Sequence, residues 1–416
     1  MDYLINAPAG LQASILLPAS KSISNRILIL NALSPHPQAI RNLSDCDDTE
    51  VMSYALRAGR PDVNIKAAGT AMRFLTAYLA GKAGQWTITG TERMKNRPVK
   101  ILAEALNALG AQVEYMEKEG FPPLRIRGHA LPGGEISLDG SVSSQYISAL
   151  LMVAPAMTNG LRLHLTGDLV SESYLRLTVG LMKQFGITVF ENGQTFTVPP
   201  QSYAATPFTV ESDWSAASYW YEMTALSERA EIRLAGLFPD SLQGDAAIVP
   251  LFETLGVETL FTSSGVVLKR KARVPCERLT LDLVNIPDMA QTLAVTCVWL
   301  GIPFCFDGLQ SLKIKETDRL AALRTELGRF GYRLTERDGR RLEWNGERCD
   351  AESSPTVKTY EDHRMAMAFA PLAMVRPEGV RIADAGVVSK SYPHFWSDLE
   401  CAGFQCVEDR KTGSER

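Results

Sequence analysis

Apolar positions along the chain fall into two interleaved rhythms. Short alternating runs at 84–89, 124–127, 161–166, 195–198 and 266–269 predict strands. Longer stretches with apolar residues three or four apart predict helices, as in SISNRILILNAL, where Ile23, Ile27 and Leu30 share one face. Six times a helical stretch ends in an apolar residue and a glycine, at Gly59, Gly110, Gly186, Gly256, Gly331 and Gly403. Glycine is the residue expected where a helix closes in a left-handed turn. The spacing of roughly 50–75 residues suggests one α/β unit repeated along the whole chain. No long Rossmann alternation is visible, so the strands are expected in mixed sheets. The Pro/Ala-rich stretch 199–207 reads as a loop near a domain boundary.

Polar chemistry gathers where these helices begin. Ser20 is a candidate N-cap, followed by Lys21, Ser22 and Arg26. Gly69-Thr70 precedes Arg73. Ser143, Ser144 and Gln145 open another helix, and Ser171 and Tyr174 a further one. Asp213, Asp288, Glu316 with Arg319, Arg364 after Asp362 and His363, and Lys390 in Ser-Lys-Ser complete the series. A lysine and an arginine at a helix N-terminus each oppose the helix dipole by about 0.3–1 kcal/mol, a conflict that a bound anion removes. Lys315 and Arg319 stand one helical turn apart, so like charges would face each other. Taken singly, each reads equally as a solvated charged turn. So does the basic run Arg93, Lys95, Arg97. Converging, these starts would form a cleft suited to a multiply anionic ligand.

Composition narrows the field. At 416 residues, 45% hydrophobic and 22% charged, the chain has room for two or three domains. A net charge of −4 argues against general nucleic-acid affinity. Seven scattered cysteines without a C-x-x-C pair predict neither a disulfide framework nor a zinc site, and point to a reducing compartment. Five histidines without H-x-x-x-H spacing make a metal centre unexpected, and His363 beside methionines reads as structural. No signal or transit pattern and no apolar run of membrane-spanning length is present, so a soluble cytoplasmic protein is expected. There is no P-loop, no strand-linked G-x-G-x-x-G, and no G-x-S-x-G or S-x-x-K around Ser144 or Ser171. Those serines read as hydroxyl donors to a ligand.

Ten strings, LPASKSISNR, AGTAMR, RMKNRP, SSQYISALLM, GDLVSESY, ESDWSAASY, IPDMAQTLAV, KIKETDRL, YEDHRMAM and SKSYPHF, run from residue 17 to residue 395. In this order they closely resemble the 5-enolpyruvylshikimate-3-phosphate synthase family of the shikimate pathway. The resemblance implies an α/β (α+β) fold of two similar domains, each of three βαβαββ repeats with mixed sheets around packed helices. One domain would span 20–211 and the other 1–19 plus 212–416, with the active site in the cleft between them. It implies transfer of the enolpyruvyl group of phosphoenolpyruvate to the 5-hydroxyl of shikimate 3-phosphate by addition and elimination of phosphate, without cofactor or metal. A monomer is expected, with no nucleic-acid or membrane partner.

Carried over by position, Lys21, Asp288 and Glu316 would be catalytic. Shikimate 3-phosphate would be held by Lys21, Ser22, Arg26, Ser143, Ser144, Gln145, Ser171, Tyr174, Asp288, Ser311 and Lys315. Phosphoenolpyruvate would be held by Lys21, Gly69, Arg97, Gln145, Arg319, Arg364 and Lys390. The sequence departs from the family at Ala67, where Asn is usual, at Phe74, where Pro is usual, at Ser311, often Asn, and at Trp214, usually small. Retention of Gly69 implies a glyphosate target. The sister transferase acting on UDP-N-acetylglucosamine usually carries a reactive Cys on a mobile loop; here no Cys lies between residues 47 and 275. A catalytically silent binder on the same fold is opposed by Lys21, Asp288, Glu316 and Lys390. An RNA-processing enzyme on a related repeat fold is opposed by the acidic charge.

Overall fold

The computed structural model describes residues 1–409. The chain divides into two compact units. One is Ala19–Glu211; the other joins Met1–Pro18 to the chain from Ser212 onward. Residues 410–416, the end of the range expected for the second domain, lie outside the described residues.

Within Ala19–Glu211 one pattern recurs. Strands Asp62–Asn64 and Gly84–Thr89 run parallel, with Val63 opposite Ile88. Parallel neighbours need a crossover, and helix Gly69–Gly81 supplies it. A second helix, Lys100–Ala108, leads into the antiparallel pair Val113–Tyr115 and Leu124–Gly128, which closes the sheet on Gly84–Thr89. Leu124 and Ile126 point inward while Arg125 and Arg127 face solvent, the alternation of a strand covered on one side. The same βαβαββ order builds the sheet of Gly134–Asp139, Leu161–Thr166, Thr195–Val198 and Phe190–Asn192, with helices Ser144–Val153 and Glu172–Gln184. The remaining strands of this unit form one parallel pairing, Ile40–Arg41 with Phe208–Thr209.

The other unit holds three four-stranded sheets of the same type, and the first residues of the chain serve two of them. Strand Leu11–Leu16 pairs in parallel with Ala230–Ala235. Tyr3–Asn6 lies between Val380–Ile382 and Gln405–Glu408. Helix Trp214–Leu226 is buried at every position except Ser215, and Ala290–Leu300 is buried from Ala290 to Val298. A helix apolar on all sides belongs in the centre of its domain. The Trp214 indole is fully buried, 6.4 Å from the Phe261 ring, and its N–H has no hydrogen-bond partner among the described residues.

All six glycines read as helix stops have positive φ, Gly59 as a left-handed C-cap at φ 57°. Two helix starts differ from the sequence expectation. Lys315 and Glu316 precede the helix, which begins at Arg319 with Asp318 as its N-cap. Lys390 ends a 3-10 turn, Ala385–Lys390, and the helix waits until Phe395, past Pro393. Because each crossover helix follows the C-terminal end of a strand, every repeat presents its helix start at that same strand end.

Candidate active site

In Ala19–Glu211, Ser20 caps helix Lys21–Leu33 by accepting the Ile23 amide at 3.4 Å. Lys21 Nζ lies 3.9 Å from Oδ2 of the buried Asp48. One turn on, Arg26 is buried. Its Nη1 donates to the Ser22 carbonyl at 2.9 Å, its Nε to Thr178 Oγ1 at 2.7 Å, and its Nη2 to Ser148 Oγ and the Tyr174 carbonyl, each at 3.3 Å. Each of these partners is a neutral oxygen. Burial pushes the guanidinium pKa down to about 10, with the nearby Tyr174 hydroxyl opposing. The Arg26 guanidinium also stands 5.4 Å from the Phe74 ring centroid, so the residue that departs from the family pattern supports this cation through its π face.

Gly69 opens its helix against the guanidinium of the half-buried Arg97. A Cβ at Gly69 would meet Arg97 Nη1 at 2.6 Å. Arg73, buried behind it, ties the Gly69 carbonyl to that of Pro98 at 3.0 Å each. Ser143 caps helix Ser144–Val153 through the Gln145 amide at 3.4 Å, and Gln145 Nε2 donates to Thr70 Oγ1 at 3.2 Å. Ser143, Ser144, Gln145, Gly69 and Arg97 thus gather at adjoining helix starts. Ser171 adopts φ 57°, ψ 44° and makes no side-chain cap bond to the helix bearing Tyr174. A left-handed serine is uncommon and is found where structure or function over-determines it.

The second unit carries a tight ionic cluster. Arg319 is buried and donates to Asp362 from Nε at 2.6 Å and Nη2 at 3.2 Å. Its Nη1 reaches Asp288 Oδ1 at 2.7 Å and its Nη2 reaches Glu316 Oε2 at 3.0 Å. Burial disfavours this charge, but Asp362, Glu316 and Asp288 outweigh it and hold the guanidinium above its ordinary pKa. Lys390 Nζ pairs with Glu316 Oε1 at 2.9 Å, and Lys315 Nζ lies 3.5 Å from Asp288 Oδ1. Arg364 Nη2 lies 3.4 Å from Asp288 Oδ2 and 3.3 Å from Ser215 Oγ. The expected facing of Lys315 and Arg319 is therefore resolved by Asp288 between them. Ser311 is not drawn into this cluster; its Oγ is buried with no hydrogen-bond partner among the described residues.

Three acidic groups were missed by sequence reasoning: Asp48, Asp362 as a ligand of Arg319, and Asp245. The Ser215 hydroxyl donates to Asp245. Burial raises the Asp245 carboxyl to about 6, with Asp288 and Asp213 adding to the rise and Arg364 and Ser215 opposing it. Among the described residues no group of three or more His, Cys, Asp or Glu is placed to hold a metal ion. Nor is any helix long and apolar enough to cross a membrane.

A model of the family described as EPSP synthase (3-phosphoshikimate 1-carboxyvinyltransferase) matches residues 5–63 and 59–399. The chain belongs to the EPSP synthase family. A 3-phosphoshikimate 1-carboxyvinyltransferase of Bacteroides fragilis (strain YCH46) is 56% identical over 405 residues, 97% of this chain and 98% of the relative. One from Aliivibrio fischeri (strain MJ11) is 36% identical over 436 residues, 96% of this chain and 99% of that protein. Among solved structures, EPSP synthase from Acinetobacter baumannii superposes with a TM-score of 0.79 at 19% identity, covering 98% of this chain and 100% of that one. The enolpyruvyl transferase NikO from Streptomyces tendae gives 0.74 at 15%, covering 98% and 99%. At those identities the structures speak for the fold alone, and it is the enolpyruvyl transferase fold.

Proposed function

We propose that this EPSP synthase family member transfers the enolpyruvyl group of phosphoenolpyruvate to the 5-hydroxyl of shikimate 3-phosphate, releasing phosphate, in aromatic amino-acid biosynthesis. Both substrates are polyanions. The observation that carries the reading beyond family membership is Arg26, a buried cation whose hydrogen bonds all go to neutral oxygens, set among hydroxyls. Such a site gains from an incoming anion rather than from a further protein carboxylate.

On this reading Ser22, Arg26, Ser143, Ser144, Ser171 and Tyr174 bind shikimate 3-phosphate, with Asp288, Ser311 and Lys315 also contributing. Gly69, Arg97, Arg319, Arg364 and Lys390 bind phosphoenolpyruvate, and Lys21 and Gln145 serve both. The 5-hydroxyl attacks C2 of phosphoenolpyruvate while its proton passes to Asp288. The methylene carbon takes a proton from the Glu316–Lys390 pair or from Lys21. The tetrahedral adduct then loses a methyl proton and phosphate, restoring the double bond. Charge development on both phosphates and carboxylates is met by fixed cations, which stabilise the transition state without reorganising. The corresponding assembly is a metal-independent cytoplasmic monomer.

The test is phosphate release from phosphoenolpyruvate with shikimate 3-phosphate or UDP-N-acetylglucosamine as acceptor, in the presence of chelator. Release with shikimate 3-phosphate alone is expected. Release only with the sugar nucleotide would overturn the acceptor, and no release with either would leave a binding protein on this fold.

A further inference from the structure

Helix Arg319–Arg329 grips the segment before Asp362 at both of its ends. At its start, Arg319 binds Asp362 through two nitrogens. Two turns later Glu326, fully buried, accepts the Tyr360 hydroxyl on Oε1 at 2.7 Å, and Arg329 Nη1 and the Lys358 amide on Oε2 at 2.9 and 3.2 Å. Arg329 is itself anchored on Glu352 at 2.8 and 2.9 Å. The gripped segment contains Tyr360 and Glu361, both at φ 55°. Two successive left-handed residues that are not glycine carry a steric penalty and persist only where their surroundings fix them. The turn they make returns the Asp362 amide to the Thr359 carbonyl at 2.8 Å. Asp362 then caps helix His363–Phe369 by accepting the Arg364 amide at 2.9 Å.

We propose that Glu326, through the Tyr360 hydroxyl, is a positioning residue that holds the strained Tyr360–Glu361 turn so that Asp362 presents the phosphoenolpyruvate-binding Arg319 and Arg364 in register. Neither Glu326 nor Tyr360 touches the ionic cluster itself. Their influence passes through backbone geometry to Asp362, whose carboxylate accepts both the Arg319 guanidinium and the Arg364 backbone amide. A buried carboxylate with three donors on it could serve stability alone, and the strained turn separates the two roles. Glycine adopts positive φ without penalty, so at position 361 it makes the turn self-supporting.

The inference rests on the proposed function, and the experiment distinguishes the two. Tyr360→Phe keeps the ring and removes the hydroxyl that Glu326 accepts, together with its interaction with Thr325. It is expected to raise KM for phosphoenolpyruvate about 5- to 10-fold, leaving KM for shikimate 3-phosphate within about twofold. Adding Glu361→Gly to Tyr360→Phe is expected to recover most of the loss. Amide hydrogen exchange over 359–365, which needs no turnover, is expected to quicken in Tyr360→Phe and slow again in the double variant. An active parent with an unaltered Tyr360→Phe, or a loss and faster exchange that glycine does not rescue, overturns the inference. An inactive parent overturns the function instead, and the exchange result then decides whether Tyr360 holds the turn.

Discussion

Gly69 Cα rests on the guanidinium of Arg97, with no room for a methyl group between them. A Cβ there would approach Nη1 to 2.6 Å and Cζ to 2.9 Å. Arginine is flexible, so the contact would be relieved by moving Arg97 rather than by unfolding the helix. Gly69→Ala is therefore expected to fold normally and to raise KM for phosphoenolpyruvate about tenfold, equivalent to ~1.4 kcal/mol of lost binding. Steady-state kinetics with thermal melting alongside checks this. An unchanged KM would mean that Arg97 does not bind that substrate.

Arg319 uses its planar fork on three carboxylates at once. Lysine keeps the charge but cannot span Asp362, Asp288 and Glu316 together. Arg319→Lys is expected to lose at least 100-fold in kcat/KM, or about 2.7 kcal/mol of transition-state stabilisation, and to be less stable because buried carboxylates lose their donors. Turnover close to that of the parent would show the fork to be dispensable.

Glu316 stands between Arg319 and Lys390 at 3.0 and 2.9 Å. Glu316→Gln preserves shape but cannot exchange a proton. A fall in kcat of about 100-fold or more is expected, in the range typical for loss of an acid–base group, with substrate affinities little changed. Near-normal turnover would remove Glu316 from proton transfer.

Asp245 gives a pH dependence of known sign. Its folded carboxyl titrates near 6, above its ordinary value, because burial penalises the anion. Its contribution to stability is therefore complete below about pH 4 and is lost as pH rises through about 6. Asp245→Asn is expected to flatten the stability profile between those limits, with a relative gain of roughly 2–3 kcal/mol at pH 7. Urea titrations at pH 5 and pH 7 would show it; an identical pH response in the variant would contradict the assignment.

What could be read from the sequence was what repeats or sits close along the chain. The six glycine stops, the Ser20 cap and the strands at 84–89 and 161–166 are local decisions, and the structure has them where periodicity placed them. The partners of those starts were hidden because they come from distant sequence. Asp245 meets Ser215 from 30 residues away, and Asp362 meets Arg319 from 43. Asp245 lies in a short 3-10 turn with no periodic signature to single it out. The charged run at Lys315 looked like a helix start because its charges fall one turn apart; the backbone instead leaves a 3-10 turn at Ile314 and bends through residues 315–317 until Asp318 caps the helix. Lys390 misled for the same reason, since Ser-Lys-Ser before a proline resembles a cap while a 3-10 turn uses the same residues.

The strand Tyr3–Asn6 pairs on one side with Gln405–Glu408, so residues made early wait for residues made far later. Ala19–Glu211 is continuous in sequence and can begin to fold while the ribosome is still making the second half of the chain, as domains commonly do. Leu11–Leu16 must stay unpaired until Ala230–Ala235 emerges, and Tyr3–Asn6 until Val380–Ile382 does. Until Ala230–Ala235 emerges the nascent chain therefore carries two unclaimed strands, and after that Tyr3–Asn6 alone stays unclaimed. Shortening the chain at either terminus would strand the other, leaving an open sheet edge that invites aggregation.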